Sequence, residues 1–180
     1  RMSKHIFHDG RKIFSHDGYK LPDSVELELE KLIFSNDLTE KLAINEKIGT
    51  SHRIEDAIGQ YAVFLKEQYP KYLTLEGLRI VLDTANGAAY RVAPKVFEEL
   101  GAEVFQIGNS PDGTNINSNS GSMSPERMQE LVKLYKADIG IAVDGDADRL
   151  IVSDEKGDIL DGDQILAICG LHSVSYTHLR

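Results

Sequence analysis

The residues best suited to chemistry stand together in Asp144-Gly-Asp-Ala-Asp-Arg149. Three carboxylates occupy alternate positions, small residues separate them, and an arginine closes the run. Carboxylates at this density repel one another unless positive charge lies among them. A divalent cation is the simplest answer, because hard cations take carboxylate oxygens as ligands. Fully extended, the outer two aspartates would stand roughly 13 Å apart at ~3.3 Å per residue. Metal–oxygen bonds of ~2.0–2.6 Å cannot span that gap, so the run must curl, and Gly145 and Ala147 resist curling least. The plainer alternative is a solvated acidic loop, since Asp and Gly are common turn residues.

The same D-x-D-x-D spacing opens an EF-hand calcium loop. With Asp144 at loop position 1, Asp146 and Asp148 fall at 3 and 5, Ile151 at the apolar position 8, and Glu155 at the bidentate position 12. Against this, Arg149 occupies position 6, where the sharp turn requires Gly. The flanks Ile139-Gly-Ile-Ala-Val143 and Leu150-Ile-Val152 also read as strands, where an EF-hand needs helices. The reading that survives is a divalent-metal site on a loop between strands.

The elements that must position this loop follow from periodicity. Leu78-Arg-Ile-Val-Leu82, Glu103-Val-Phe-Gln-Ile107 and Asp138–Val143 read as strands. Helices lie between them, from Ala88 to Leu100 with Val92, Val96, Phe97 and Leu100 inward, and from Pro125 with Met128, Leu131, Val132 and Leu134 apolar. Pro94 fits the first only in its opening turn or as a kink. The β-α-β-α-β order predicts parallel strands with right-handed crossovers, which places the acidic loop at a strand's carboxyl end, where open α/β sheets bind ligands. Beyond it, Arg149–Ser153 and Ile159-Leu160 read as strands joined by a turn at Asp154-Glu-Lys-Gly157, and Asp161-Gly-Asp163 caps a last helix.

Upstream, the sequence predicts a helix capped by Asp23 or Ser24 with Val25, Leu29, Leu32 and Ile33 on one stripe. A longer helix is expected from an N-cap at Ser51 to Tyr69, with Ile54, Ala57, Ile58, Tyr61, Ala62 and Leu65 inward. Residues 35–50 read as a connecting arm. His5, His8 and His16 lie in a Gly- and Asp-broken, hairpin-like start and lack ligand spacing, so they are expected to be loop histidines.

Composition narrows the function. The chain has 180 residues, 41% hydrophobic and 27% charged, which makes one domain with a real core, or one domain with pieces of a neighbour. Its net charge of −9 argues against a nucleic-acid partner. It leaves room for a phosphorylated substrate, because a metal or an arginine can reverse the field locally. Cys169 is the only cysteine, so no disulfide forms within the chain, a reduced cytoplasmic setting is expected, and Cys169 is expected to pack in the core. No apolar run is long enough to span a membrane.

Several stretches carry a resemblance. Asp144-Gly-Asp-Ala-Asp-Arg149 is similar to the metal-binding loop of the α-D-phosphohexomutase superfamily. Asp83-Thr-Ala-Asn-Gly-Ala-Ala-Tyr90, Val92-Ala-Pro94, Phe97-Glu-Glu-Leu-Gly-Ala102, Pro111-Asp-Gly-Thr-Asn-Ile-Asn117, Gly121-Ser122, Pro125-Glu126 and Asp161-Gly-Asp-Gln164 resemble the second domain of its phosphoglucosamine mutase branch. The likeness runs from about residue 7 to about residue 172.

The resemblance implies a three-layer α/β/α domain with a mixed, largely parallel sheet at residues 51–172, after the end of a preceding domain and its arm at 1–50. It implies interconversion of glucosamine 6-phosphate and glucosamine 1-phosphate through a phosphoserine enzyme and a bisphosphate intermediate. Mg²⁺ would be held by Asp144, Asp146 and Asp148, and Arg149 would face the phosphate; the plainer role for Arg149 is an ion pair within the loop. The superfamily's serine followed by His-Asn-Pro has no match here, so Ser3 is not assigned as nucleophile and no catalytic residue is assigned. The superfamily's sugar-recognition loop and phosphate-binding domain would follow residue 172. The expectation is therefore a fragment that binds a divalent ion weakly and lacks mutase activity without its missing domains. Residues 173–180, and 1–6, are expected to be foreign sequence. Two alternatives stay open: a phosphomannomutase or phosphoglucomutase fragment, and a stand-alone ion-binding module.

Overall fold

A computed structural model describes residues 13–35, 43–44, 46 and 48–177, with 172–177 described by backbone only. The chain forms two compact units that divide between Glu55 and Asp56. His5, His8 and Ser3 lie outside the described residues, and His16 is exposed.

In the first unit Phe14 and Lys20 form an antiparallel bridge around a turn closed by the Ser15 amide on the Tyr19 carbonyl, 2.8 Å. Helix α1 spans Asp23–Phe34 and buries no residue. Neither Asp23 nor Ser24 caps it. The helix starts directly after Pro22, whose carbonyl accepts the amides of Val25 and Glu26, so both polar residues lie inside the first turn. Asp23 instead pairs with Lys20 at 3.4 Å.

The second unit opens with α2, Ala57–Glu67, which begins six residues later than the expected N-cap at Ser51. Ile54 is exposed, and the first helical bond runs from the Gln60 amide to the Asp56 carbonyl. A short helix is held mainly by packing rather than propensity. Here that packing is against α3 (Val92–Glu99), through a face that fully buries Ala62 and leaves Ile58 and Tyr61 outside. Glu99 of α3 ties the pair by accepting from Lys66 of α2 and, at 2.8 Å, from Lys95.

Strands β1 (Arg79–Asp83), β2 (Glu103–Ile107) and β3 (Ile139–Val143) are parallel, as the β-α-β-α-β order requires. β4 (Leu150–Ser153) runs antiparallel to β3, and β5 (Ile159–Leu160) antiparallel to β4, giving the order β2-β1-β3-β4-β5. The expected helix at 88–100 is divided into a 3-10 turn, Ala88–Tyr90, and α3, which places buried Pro94 in the first turn where its missing N–H costs nothing.

Each crossover helix covers one face of the sheet. Ile80 and Leu82 of β1 pack with Ala93, Phe97 and Ala102 on the α3 side. Val81 packs with Met128 and Val132 of α4 (Glu126–Tyr135), and with Ala142, on the other. The alternation of β1 thus feeds two cores, giving the three-layer α/β/α arrangement. Burying a side chain of this size is worth about 1.5–3 kcal/mol, so these short strands are anchored by their helices. Gly140 of β3 leaves the space that Met128 and Ser153 fill on the α4 side.

Helix α5 covers Gly162–Thr177 and is opened by a reciprocal cap: the Gln164 amide donates to Asp161 Oδ1 at 2.7 Å, and the Asp161 amide to Gln164 Oε1 at 2.8 Å. It runs on through 173–177, which the sequence left without a pattern. Cys169, expected in the core, is exposed. Apolar residues face all sides of α5, so no single face can bury them, and Leu166, Ile168 and Leu171 are exposed as well. Among the described residues no helix is long and apolar enough to cross a membrane.

Candidate metal centre

The acidic run is the loop of a β-hairpin. Val143 pairs with Leu150, and the next rung is the Asp144 amide on the Arg149 carbonyl at 3.3 Å. Within it the Ala147 amide closes a turn onto the Asp144 carbonyl at 3.0 Å, and Ala147 takes a left-handed φ of 60°. This is the curl that the sequence demanded. One carboxylate oxygen from each of Asp144, Asp146 and Asp148 now lies within 4.8 Å of the others. Oxygens each ~2.0–2.6 Å from a common ion stand at most about 5 Å apart, so the three fit one hard divalent cation.

The three carboxylates are not equivalent. Asp144 is buried, while Asp146 and Asp148 are exposed. Asp144 Oδ1 accepts the amides of Asp148 and Arg149, both at 3.2 Å, and Oδ2 accepts Arg149 Nε at 2.8 Å. A carboxylate offers about four lone-pair sites, so one on Oδ2 is left for a cation. Burial alone would push the Asp144 carboxyl up, but the Arg149 guanidinium and the two amides outweigh it and hold the group below its usual range. That favours the ionised form of Asp144, the form in which a carboxylate can take a metal.

Arg149 is the ion-pair partner of its own loop, pairing with Asp144 and, at 3.9 Å, with Asp148. Its side chain is still 61% exposed, with Nη1 3.6 Å from Met123 Sδ.

The hairpin rests on parts that the sequence reading did not assign a role. Order β2-β1-β3 means that the chain leaves β1 in one direction and returns from β2 to the other side of β1. The carboxyl ends of β1 and β3 therefore flank the point where the crossovers part, the usual ligand crevice of such sheets. The β1 loop reaches the hairpin there, with the Ala88 amide donating to the Gly145 carbonyl at 2.8 Å. Ile116 and Asn117 of the long polar loop close over Gly145. At the end of β1 sits Asp83, fully buried, with a carboxylate bound by two backbone amides. A strand of apolar residues ending in Asp just before a Thr-Ala-Asn-Gly turn was the signal for it.

The EF-hand geometry is not present. Antiparallel strands flank the loop, and Glu155 is exposed in the turn beyond β4, whose four residues alone span roughly 13 Å of extended chain.

Comparison with known proteins agrees with this architecture. Residues 59–157 match the model described as phosphoglucomutase/phosphomannomutase, alpha/beta/alpha domain II. Curated relatives named phosphoglucosamine mutase include one from Bdellovibrio bacteriovorus, 53% identical over 94% of this chain and 37% of its own length. Others come from Geobacter metallireducens, 54% identical over 99% of this chain and 40% of its own, and Pelobacter propionicus, 58% over 89% and 36%. The chain thus spans well under half the length of these relatives. A crystal structure of a phosphoglucomutase/phosphomannomutase family protein from Burkholderia thailandensis superimposes with a TM-score of 0.60 at 27% identity, over 87% of this chain and 32% of that one.

Proposed function

Because the chain belongs to the phosphoglucomutase/phosphomannomutase family, whose domain II it contains, we propose that it is the metal-binding portion of a phosphoglucosamine mutase. The whole protein would interconvert glucosamine 6-phosphate and glucosamine 1-phosphate in the cytoplasm, through a phosphoserine enzyme and a bisphosphate intermediate. The observation that carries this reading is the convergence of Asp144, Asp146 and Asp148 on one point at the carboxyl end of β3.

In this reading Asp144, Asp146 and Asp148 hold Mg²⁺. When bound, Mg²⁺ supplies neutralisation of the charge on transferring phosphoryl oxygens. Asp144 contributes a fixed, ionised oxygen, because Arg149 and two amides hold its carboxylate in place. Asp146 and Asp148, both exposed, supply the other two oxygens. Arg149, anchored through Nε, presents its exposed side chain to a phosphate as a planar donor of fixed charge. The residue that carries the phosphoryl group and those that choose the sugar belong to other parts of the protein. The 180-residue chain alone therefore binds metal weakly and does not turn over substrate.

Titration of the chain with Mg²⁺ and with Ca²⁺ tests the metal reading. Weak Mg²⁺ binding without a change in helix content, lost in Asp146→Ala, is expected. Strong Ca²⁺ preference with a gain of helix would favour a stand-alone calcium module instead, and mutase turnover by this chain would overturn its incompleteness. The family description also favours a second reading, the same chemistry on phosphoglucose or phosphomannose. Comparing these sugar phosphates as substrates of the whole enzyme decides between them.

A further inference from the structure

We infer that Asp83 is the positioning residue of the metal hairpin: a buried carboxylate that fixes the loops beneath Asp144 without touching the ion. The inference rests on the metal reading above and concerns how the site is held rather than what it binds.

Asp83 ends β1 with no exposed surface. Among the described residues no cationic side chain pairs with it. Its charge is met by backbone amides, Ala85 on Oδ1 at 2.9 Å and Gly121 on Oδ2 at 2.8 Å. Both oxygens thus accept from N–H groups of different loops. Only a carboxylate can do this, because an amide side chain would turn an N–H toward an N–H on one side.

Each bond leads to the hairpin by a separate route. Through Ala85 the carboxylate fixes the β1 turn, in which Ala85 and Asn86 take left-handed φ values of 53° and 51°. Two residues on, that turn lies against Gly145 and donates the Ala88 amide to its carbonyl. Through Gly121 the carboxylate fixes the end of the long loop. There the next amide, Ser122, donates to the Val143 carbonyl at 3.2 Å, immediately before Asp144. The loop after β2 joins the same point. A Cβ at Gly108 would lie 2.5 Å from Asp83 Oδ1, and the Gly108 carbonyl accepts from Thr84 Oγ1 at 2.7 Å and the Asn86 amide at 2.5 Å. Asp83 is therefore the common node of the loops that follow β1 and β2 and of the strand end that carries Asp144. Groups that orient metal ligands from behind are typically worth about 10–100-fold in metal affinity.

The test uses Mn²⁺ as probe, read by its electron paramagnetic resonance signal, on the unsubstituted chain, Asp83→Asn and Asp146→Ala. Asp83→Asn keeps size and removes one acceptor. It is expected to retain the circular dichroism of the native chain while binding Mn²⁺ about tenfold or more weakly. Equal affinity in a folded Asp83→Asn would overturn the positioning role and leave the metal site standing. No binding by the unsubstituted chain would remove both readings. Should Asp83→Asn fail to fold, amide hydrogen exchange in the unsubstituted chain decides. Saturating Mg²⁺ is expected to slow exchange at Ala85 and Gly121, and unchanged exchange there would overturn the inference.

Discussion

The backbone of Gly87 lies against the backbone of Gly145, so closely that a Cβ on Gly87 would collide with the Gly145 carbonyl oxygen and stand 2.5 Å from its Cα. One glycine follows β1 and the other lies inside the acidic hairpin, so their contact is where two loops distant in sequence are pressed together. The opposing atoms are main chain and cannot swing aside. Gly87→Ala should therefore push the hairpin away, with the overpacking cost of about 1–3 kcal/mol. Urea unfolding should report that loss, and Mg²⁺ titration should report weaker binding by the same variant.

Arg149 and Asp144 make a second contact with a measurable sign. Arg149→Ala leaves a buried carboxylate with two amides and no cation, which should lower the urea midpoint at pH 7. Arg149→Lys should recover only part of it, because an ammonium does not reproduce the fixed guanidinium geometry. The Asp144 carboxyl is held below its usual range in the folded chain. Its stabilisation is therefore present above the unfolded value of about 3.9 and is lost as pH falls through the folded one. The gap between the native chain and Arg149→Ala should close below about pH 4, in metal-free buffer.

The clamp between α2 and α3 titrates in the same sense. Lys66 and then Lys95 hold Glu99 down to a pKa of about 2. A lowered acid stabilises the fold above its unfolded pKa of about 4.3 and stops doing so as pH falls toward the folded value. Glu99→Gln should melt earlier than the native chain at pH 7 and together with it near pH 2. The groups are solvated, so the difference at pH 7 should shrink in high salt. Thermal melts at the two pH values and two salt concentrations check this.

Much of the architecture was legible before folding was considered. Short apolar runs bounded by turn residues marked the five strands of the sheet, and the spacing of Met128 and Val132 marked α4, because burial leaves its pattern in the sequence. The acidic run marked a candidate metal site, and simple reach required it to curl if it is to hold an ion, since three carboxylates on an extended strand cannot share one. The start of α2 was not legible. The stripe from Ile54 continues the helical period, yet the residues before Ala57 are not helical, because a period says which residues could be buried and not whether a partner covers them. Cys169 fails for the same reason: an apolar neighbourhood in sequence is not a covered one in space.

The centre itself divides along this line. Which residues could offer oxygen to a cation was written in Asp144, Asp146 and Asp148, because ligand chemistry is a property of side-chain type. Their inequality was not: one is buried and pinned by Arg149, and two are exposed. Nor were Asp83 and Gly87, which lie about sixty residues upstream and reach the hairpin only because β1 and β3 are neighbours in the sheet. Local spacing names the groups that can bind an ion. How firmly they are held depends on backbone contacts between distant loops, and those exist only once the chain has folded.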